Sequence, residues 1–288
     1  MPASTDVSSY LADCVRQARR RYRKRLGRCR DRLSERAVHD LRVEVRRTLA
    51  LLGLIEMLGF GGPLKKVAKQ FKRRLDVFDE FRDLHVQLGL LKQFKDVSGA
   101  RPIRRLLCRR ETKLGDRLAR RIKSTKYSRL AARLKPMERC VRRGESHTTR
   151  QALAALIQLF QRAIALRRRV RADDPATLHR LRVAFKRFRY LSEWLQPLLP
   201  SIGKTAVERM KKYQAAAGEI QDLEALRLRL EKLVRDGDVS AGCARDLQRE
   251  LLLRRREAIN SFMARVDDLF EFRKHLRAPA ETPAKSRS

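Results

Sequence analysis

The sequence predicts an all-α protein built from two similar halves. Glycine and proline are scarce, with 13 and 9 among 288 residues, so few positions interrupt helices. Apolar residues recur at steps of three and four, as at Leu64, Ala68, Phe71 and Leu75, and no long stretch alternates with period two. A histidine motif also occurs twice. We therefore expect two pseudo-symmetric four-helix bundles that arose by internal duplication.

Helix-breaking residues divide the first half into four main helices and a short accessory segment. The turn GFGGP at Gly59–Pro63 ends the second helix. The predicted elements are helices over Ser8–Arg30, Glu35–Leu58 and Leu64–Phe94, a fourth helix after a break at Ser98–Pro102, and an accessory segment over Tyr127–Cys140.

The second half repeats this succession. Asp174 followed by Pro175 is typical of a helix N-cap and a first helical position. The predicted helices span Thr149–Arg171, Pro175–Leu199, Ile202–Val234 and Ser240–Phe272. We expect one helical domain over residues 8–275, with halves at about 8–146 and 147–275. Residues 276–288 are rich in Pro, Ala, Ser and Lys and are predicted to form a disordered tail.

Two separate motifs support the duplication. VHDLRV at Val38–Val43 reappears as LHRLRV at Leu178–Val183, 140 residues further on. FRDL at Phe81–Leu84 reappears as IQDL at Ile220–Leu223, 139 residues further on. Because both motifs share nearly one offset, duplication explains them better than chance.

Each half contains the pattern H-x-x-R-x-x-x-[R/K], which places the three side chains along one helix face. The stripe spans roughly 10 Å at about 1.5 Å per residue, enough to meet several phosphates. Arginine offers a planar fork of donors that suits phosphate oxygens. The histidines are equally suited to contact phosphate or to form structural hydrogen bonds. The candidate residues are His39, Arg42, Arg46 and Arg47 in the first half and His179, Arg182, Lys186, Arg187 and Arg189 in the second.

The third helix of each half carries further bases. Lys72 and Arg73 in the first half, and Lys211 and Lys212 in the second, are candidates for the walls of a basic groove. A solvated outer face explains them equally well. The matched acids Asp83 and Asp222 are expected to hold an arginine of the bundle in place rather than to catalyse.

The charge balance points to a polyanionic partner. The chain has 70 Lys and Arg against 33 Asp and Glu, a formal net charge of +37, and this surplus attracts anions. Its 43% hydrophobic residues exclude a simple disordered basic tail. Five widely spaced cysteines favour a reducing compartment. Neither a signal peptide nor a membrane span is apparent, so we expect a cytoplasmic protein without membrane insertion.

These motifs resemble the CHAD family, the conserved histidine α-helical domain, over about residues 8–275. HDLRVEVRR from His39 and HRLRVAFKRFRY from His179 carry the resemblance, together with FRDL and IQDL. It implies a basic groove or pore that binds inorganic polyphosphate, and association with polyphosphate granules. Family members often carry an N-terminal CYTH domain, for which the sequence before Ser8 is too short. Gln221 departs from the pattern, since the first half has Arg82 there.

These features bear on three possible functions. The stripes and the resemblance favour non-catalytic binding of polyphosphate, with no cofactor, metal or catalytic residue. Non-specific binding of nucleic acid is the alternative, although aromatic residues are only 6% and no nucleic-acid-binding motif is apparent. A metal-dependent phosphohydrolase using both histidines is disfavoured, because H-x-x-x-H, a glycine-rich phosphate loop and clustered carboxylates are missing. The oligomeric state stays open.

Overall fold

The computed structural model describes residues 6–277, except for the side chains of residues 125 and 126. Over this range the chain forms eleven α-helices, a final 3-10 helix and no strand, which confirms the all-α prediction. The elements are α1 (Val7–Asp31), α2 (Glu35–Met57), α3 (Leu64–Asp76), α4 (Asp79–Gln93), α5 (Ala100–Ile122), α6 (Thr125–Ala132), α7 (Leu134–Arg143), α8 (Thr149–Arg167), α9 (Pro175–Leu195), α10 (Lys204–Arg235), α11 (Ala241–Met263) and the 3-10 helix Val266–His275.

The two helices that carry the histidine motif are α2 and α9, and both have capped N-termini. The Ser34 hydroxyl accepts a hydrogen bond from the Ala37 amide at 3.2 Å. The Asp174 carboxylate accepts from the Ala176 amide at 3.0 Å, and Pro175 is the first helical residue, as predicted. These caps fix where each helix begins, and therefore which face its motif presents.

The predicted continuous helix over Leu64–Phe94 is wrong, because the chain turns at Val77 and Phe78 between α3 and α4. The Phe78 amide bonds to the Leu75 carbonyl, a tight turn of the 3-10 kind. The corresponding residues of α10 are Ala216 and Ala217, which have far higher helix propensity. Thus α10 stays continuous over 32 residues where the first half has two helices.

Other predicted boundaries also shift. Helix α9 ends at Leu195 rather than Leu199, since Pro197 has no backbone N–H to continue the helical hydrogen bonds. The accessory segment forms two short helices, α6 and α7. The helix predicted over Ser240–Phe272 ends at Met263 and gives way to the 3-10 helix. Most of the predicted tail, from residue 278 onward, lies outside the described residues.

Helix packing follows the same order in both halves. Helices α1 and α2 pack together as α8 and α9 do, and α4 packs on α5 as α10 packs on α11. The largest helix contacts between the halves are those of α2 with α9 and of α4 with α10. They bring the repeated motifs of the two halves together.

The apolar cores do not divide at the predicted boundary between residues 146 and 147. The larger core includes Phe71 of α3, Phe185 of α9 and Tyr213 of α10. The smaller core combines α4 and α5 with α11 and the C-terminal part of α10. Each core therefore draws helices from both sequence halves. Among the described helices, none is long and apolar enough to cross a membrane.

Candidate functional site

The motif stripes of α2 and α9 meet in one basic cluster between the halves. Arg46 and Lys186 stand at corresponding positions, and each is influenced by charges on the other helix. Arg82 of α4 joins them through its interaction with Asp222 of α10. We call this group the central cluster. Its members are the cations Arg42, Arg46, Arg82, Arg182 and Lys186 and the acids Asp79, Asp83 and Asp222.

Lys186 is the most strongly perturbed base of the cluster. Burial, followed by repulsion from Arg46, lowers the pKa of its amine to about 7. Arg182, Arg189 and Arg42 add to that repulsion. At neutral pH the free protein therefore holds a proton on Lys186 only part of the time, and an anion in the cluster would favour the charged form.

The matched acids Asp83 and Asp222 lie inside this positive field. Burial raises the pKa of the Asp222 carboxyl, although the charges of Arg182 and Arg82 act in the opposite direction. The pKa of Asp83 is also raised by desolvation, against the attraction of Arg42. Asp222 interacts with cations of both halves, whereas the sequence suggested an arginine within one bundle.

The two motif arginines have different surroundings. Arg42 is buried, with 5% of its surface exposed, and forms an ion pair with Asp79 and a 3.4 Å hydrogen bond to the Leu75 carbonyl. Sequence reasoning missed Asp79, because it lies before the FRDL motif. At Arg182, Nε is buried and finds no hydrogen-bond partner within residues 6–277. The residue of α10 that corresponds to Asp79 is Gly218.

The motif histidines also differ between the halves. The His179 Nδ1–H donates to the Gln221 side-chain carbonyl at 2.6 Å. In the first half Arg82 takes the place of Gln221. Burial and then the Arg82 charge lower the pKa of His39. Both histidines keep solvent contact.

Two candidate arginines are occupied by Glu193. Arg47 forms a 2.8 Å ion pair with Glu193 and lies 5.4 Å from the centre of the Trp194 ring. Arg189 pairs with the same carboxylate and donates from Nε to Gln214 at 2.7 Å. These contacts hold α9 to its neighbours. The structure therefore gives both arginines structural partners.

The remaining candidates lie on exposed surfaces outside the cluster. Lys211 forms a 2.6 Å ion pair with Glu208 on the same helix. Arg73 borders a depression between α3, α5 and α6 that is also lined by Arg74, Arg121, Arg129 and Arg133. The exposed candidates are Lys72, Arg73, Arg187, Lys211 and Lys212.

In the part of the chain that the structure describes, no three His, Cys, Asp or Glu side chains are grouped so that they could hold a metal ion. The chemistry that this cluster offers is anion binding by guanidinium and ammonium groups.

The fold and the cluster define an all-helical protein in which corresponding faces of two halves share one basic centre. The CHAD domain family model matches residues 9–231, and the chain belongs to that family. The CHAD domain from the plant Ricinus communis is similar, with a TM-score of 0.73 and 20% identity over 97% of this chain and 95% of that one. PptA from Streptomyces chartreusis has a TM-score of 0.61 and 16% identity, over 92% of this chain and 99% of PptA. No curated protein matches the chain.

Proposed function

We propose that this protein binds inorganic polyphosphate in the central cluster without catalysis, and that it associates with polyphosphate granules in the cytoplasm. The observation that carries the proposal is the convergence of five cations from three helices of both halves. Membership in the CHAD domain family supports the choice of polyphosphate over other anions.

The electrostatics of the cluster favour an anionic ligand. Burial, and after it repulsion from neighbouring cations, lowers the pKa of both Arg46 and Lys186, so these charges destabilise the free protein. A phosphate chain relieves that destabilisation by placing negative charge between the stripes. Guanidinium groups bind phosphate oxygens by charge-assisted hydrogen bonds, which are stronger than neutral ones.

The dimensions of the site favour a polymer over a single ion. Each stripe follows its helix for roughly 10 Å, at about 1.5 Å per residue. Exposed bases of α3 and α10, such as Lys72 and Lys212, lie outside the cluster and extend the positive surface. An extended chain can contact several of these groups at once and releases counterions as it binds.

Calorimetric titration with polyphosphate tests the proposal. The quadruple substitution of Arg42, Arg46, Arg182 and Lys186 by Met is expected to abolish binding. The matched control replaces the exposed Arg101, Arg104, Arg245 and Arg256 by Met, which removes the same number of basic residues and keeps the cluster. We expect the control to bind within about threefold of the wild type, since it loses only diffuse attraction. Equal losses in both variants would contradict a localised site.

Competition with single-stranded RNA separates this proposal from non-specific binding of nucleic acid. At equal phosphate concentration, we expect RNA to displace little polyphosphate, because the described cluster offers few stacking platforms for bases. Complete displacement by RNA would favour nucleic acid as the ligand.

A further inference from the structure

The clearest difference between the halves lies beside the motif arginines. Asp79 opens α4 and pairs with Arg42. Gly218 occupies the corresponding place in α10, at the same offset that relates Asp83 to Asp222. The carboxylate that pairs with the first arginine therefore has no counterpart at the corresponding position beside the second.

One donor of the Arg182 guanidinium is left unsatisfied. Its Nε is buried without a hydrogen-bond partner among the described residues, although the Asp222 carboxylate attracts the group. A buried donor without a partner costs free energy, and a charged donor costs more than a neutral one. Arg42, in contrast, has both a carboxylate and a carbonyl as acceptors.

The α10 backbone does not require glycine at position 218. This residue lies inside a continuous helix and does not have a positive φ. Glycine within a helix destabilises it relative to alanine by roughly 1 kcal/mol. A Cβ atom at Gly218 would lie 3.7 Å from Nε and Nη2 of Arg182, which is ordinary contact. Alanine would fit there, whereas a longer side chain would enter the space in front of the guanidinium.

We infer that the space over Gly218 seats one phosphoryl group of the bound anion. Its oxygens take the place on Arg182 that the Asp79 carboxylate takes on Arg42. The inference rests on the proposed function and adds that the ligand is held asymmetrically, with its principal anchor in the second half.

The neighbours of this seat suit a phosphoryl group. Lys186 follows Arg182 by one turn of α9 and faces the same cluster, so it can donate to the same group or to the next one along the chain. Asp222, which lies on α10, interacts with both Arg182 and Lys186. Its negative charge limits how many phosphoryl groups the cluster admits, which favours one seated group over several.

Substitutions at Gly218 test the seat directly. Gly218→Asp supplies the missing carboxylate. Because the ligand then loses a charge-assisted hydrogen bond, we expect polyphosphate binding to weaken by at least about tenfold. Gly218→Ala adds only the tolerated Cβ atom and is expected to bind within about twofold of the wild type. Unchanged binding by Gly218→Asp, or an equal loss by Gly218→Ala, would overturn the inference.

The first half offers a reciprocal test that does not disturb α10. Asp79→Ala frees Arg42 and is expected to strengthen polyphosphate binding by about threefold or more, because a second arginine becomes available. Glu80→Ala is the control, since it removes an adjacent exposed carboxylate without freeing Arg42. Equal effects of the two variants would show that only net charge matters and would contradict the inference.

NMR of the Arg182 Nε–H separates failure of the seat from failure of the proposed function. Titration with orthophosphate or polyphosphate is expected to shift this signal in the wild type and not in Gly218→Asp. A shift with orthophosphate but no binding of polyphosphate would leave the seat intact and overturn the proposed function. Tight polyphosphate binding without any shift would overturn the seat and leave the proposed function standing.

Discussion

Arg46 of α2 is the charge that most strongly disfavours protonation of Lys186 on α9, although the two residues stand 140 positions apart. They occupy corresponding positions in the two motifs. The structure therefore places the two stripes around one centre. Burial and this repulsion together give the centre its response to pH.

Ligand binding is expected to take up protons through Lys186. Its pKa is about 7 in the free protein, so at pH 8 the amine is mostly neutral. A bound phosphate raises that pKa, so the affinity should fall as the pH rises from 7 to 9. The cations that set this pKa are Arg42, Arg46, Arg182 and Arg189, while Asp222 acts in the opposite direction.

Titration calorimetry at pH 8 in buffers of different ionisation enthalpy measures this uptake. We expect about one proton per bound chain in the wild type. Lys186→Arg keeps the charge at all these pH values and should take up almost none. The same uptake in Lys186→Arg would contradict the assignment.

The free protein should gain stability when Lys186 is removed. Its folded pKa lies below its unfolded value, so the unfolded state binds more protons between about pH 7 and 10. The wild type should therefore gain stability relative to Lys186→Met as the pH rises through that range. At pH 7 we expect Lys186→Met to be more stable by about 1 kcal/mol while losing affinity for polyphosphate. Thermal unfolding at about pH 7 and pH 10 checks this, and a Lys186→Met variant less stable than the wild type at pH 7 would contradict it.

Equivalent substitutions of Arg42 and Arg182 should have opposite consequences. Arg42→Met removes the ion pair with Asp79 and a bond to the Leu75 carbonyl, so it should cost about 2 kcal/mol of stability. Arg182→Met removes a side chain without such a partner among the described residues, and its stability should change by less than about 1 kcal/mol. For polyphosphate binding we expect the opposite order, with the larger loss of affinity in Arg182→Met. Urea unfolding together with calorimetry measures both quantities.

His39 should respond to the charge of Arg82. Burial and Arg82 lower its pKa, so Arg82→Gln, which reproduces the second-half residue, should raise it. NMR of the imidazole protons against pH follows the change. Arg73→Gln removes an exposed charge from α3 and serves as the control. An unchanged His39 titration in Arg82→Gln would show that Arg82 does not act on the histidine.

The sequence predicted most of the fold and the candidate residues that the structure brings together in the central cluster. Helical periodicity located the main helices, and the common offset identified Arg42, Arg46, Arg182 and Lys186, which the structure brings together. It could not predict the turn at Val77, because the apolar pattern continues through it. Val77 and Phe78 are weak helix formers, so tertiary packing decides whether the helix continues through them.

The partners of individual arginines also lay beyond sequence reasoning. Arg47 and Arg189 belong to the same basic runs as the stripe residues, yet Glu193 pairs with both. This pairing depends on how α2 and α9 pack. The contrast between Asp79 and Gly218 was present in the sequence, but its meaning depends on which arginine each residue faces.

Binding stoichiometry combined with a double-mutant cycle tests the shared centre most directly. A short polyphosphate is titrated into the wild type, Arg46→Met, Lys186→Met and the double variant. The shared centre predicts one chain bound per protein molecule, with strongly non-additive losses for this pair. Two bound chains, each lost independently with its own substitution and with additive free energies, would contradict the central claim.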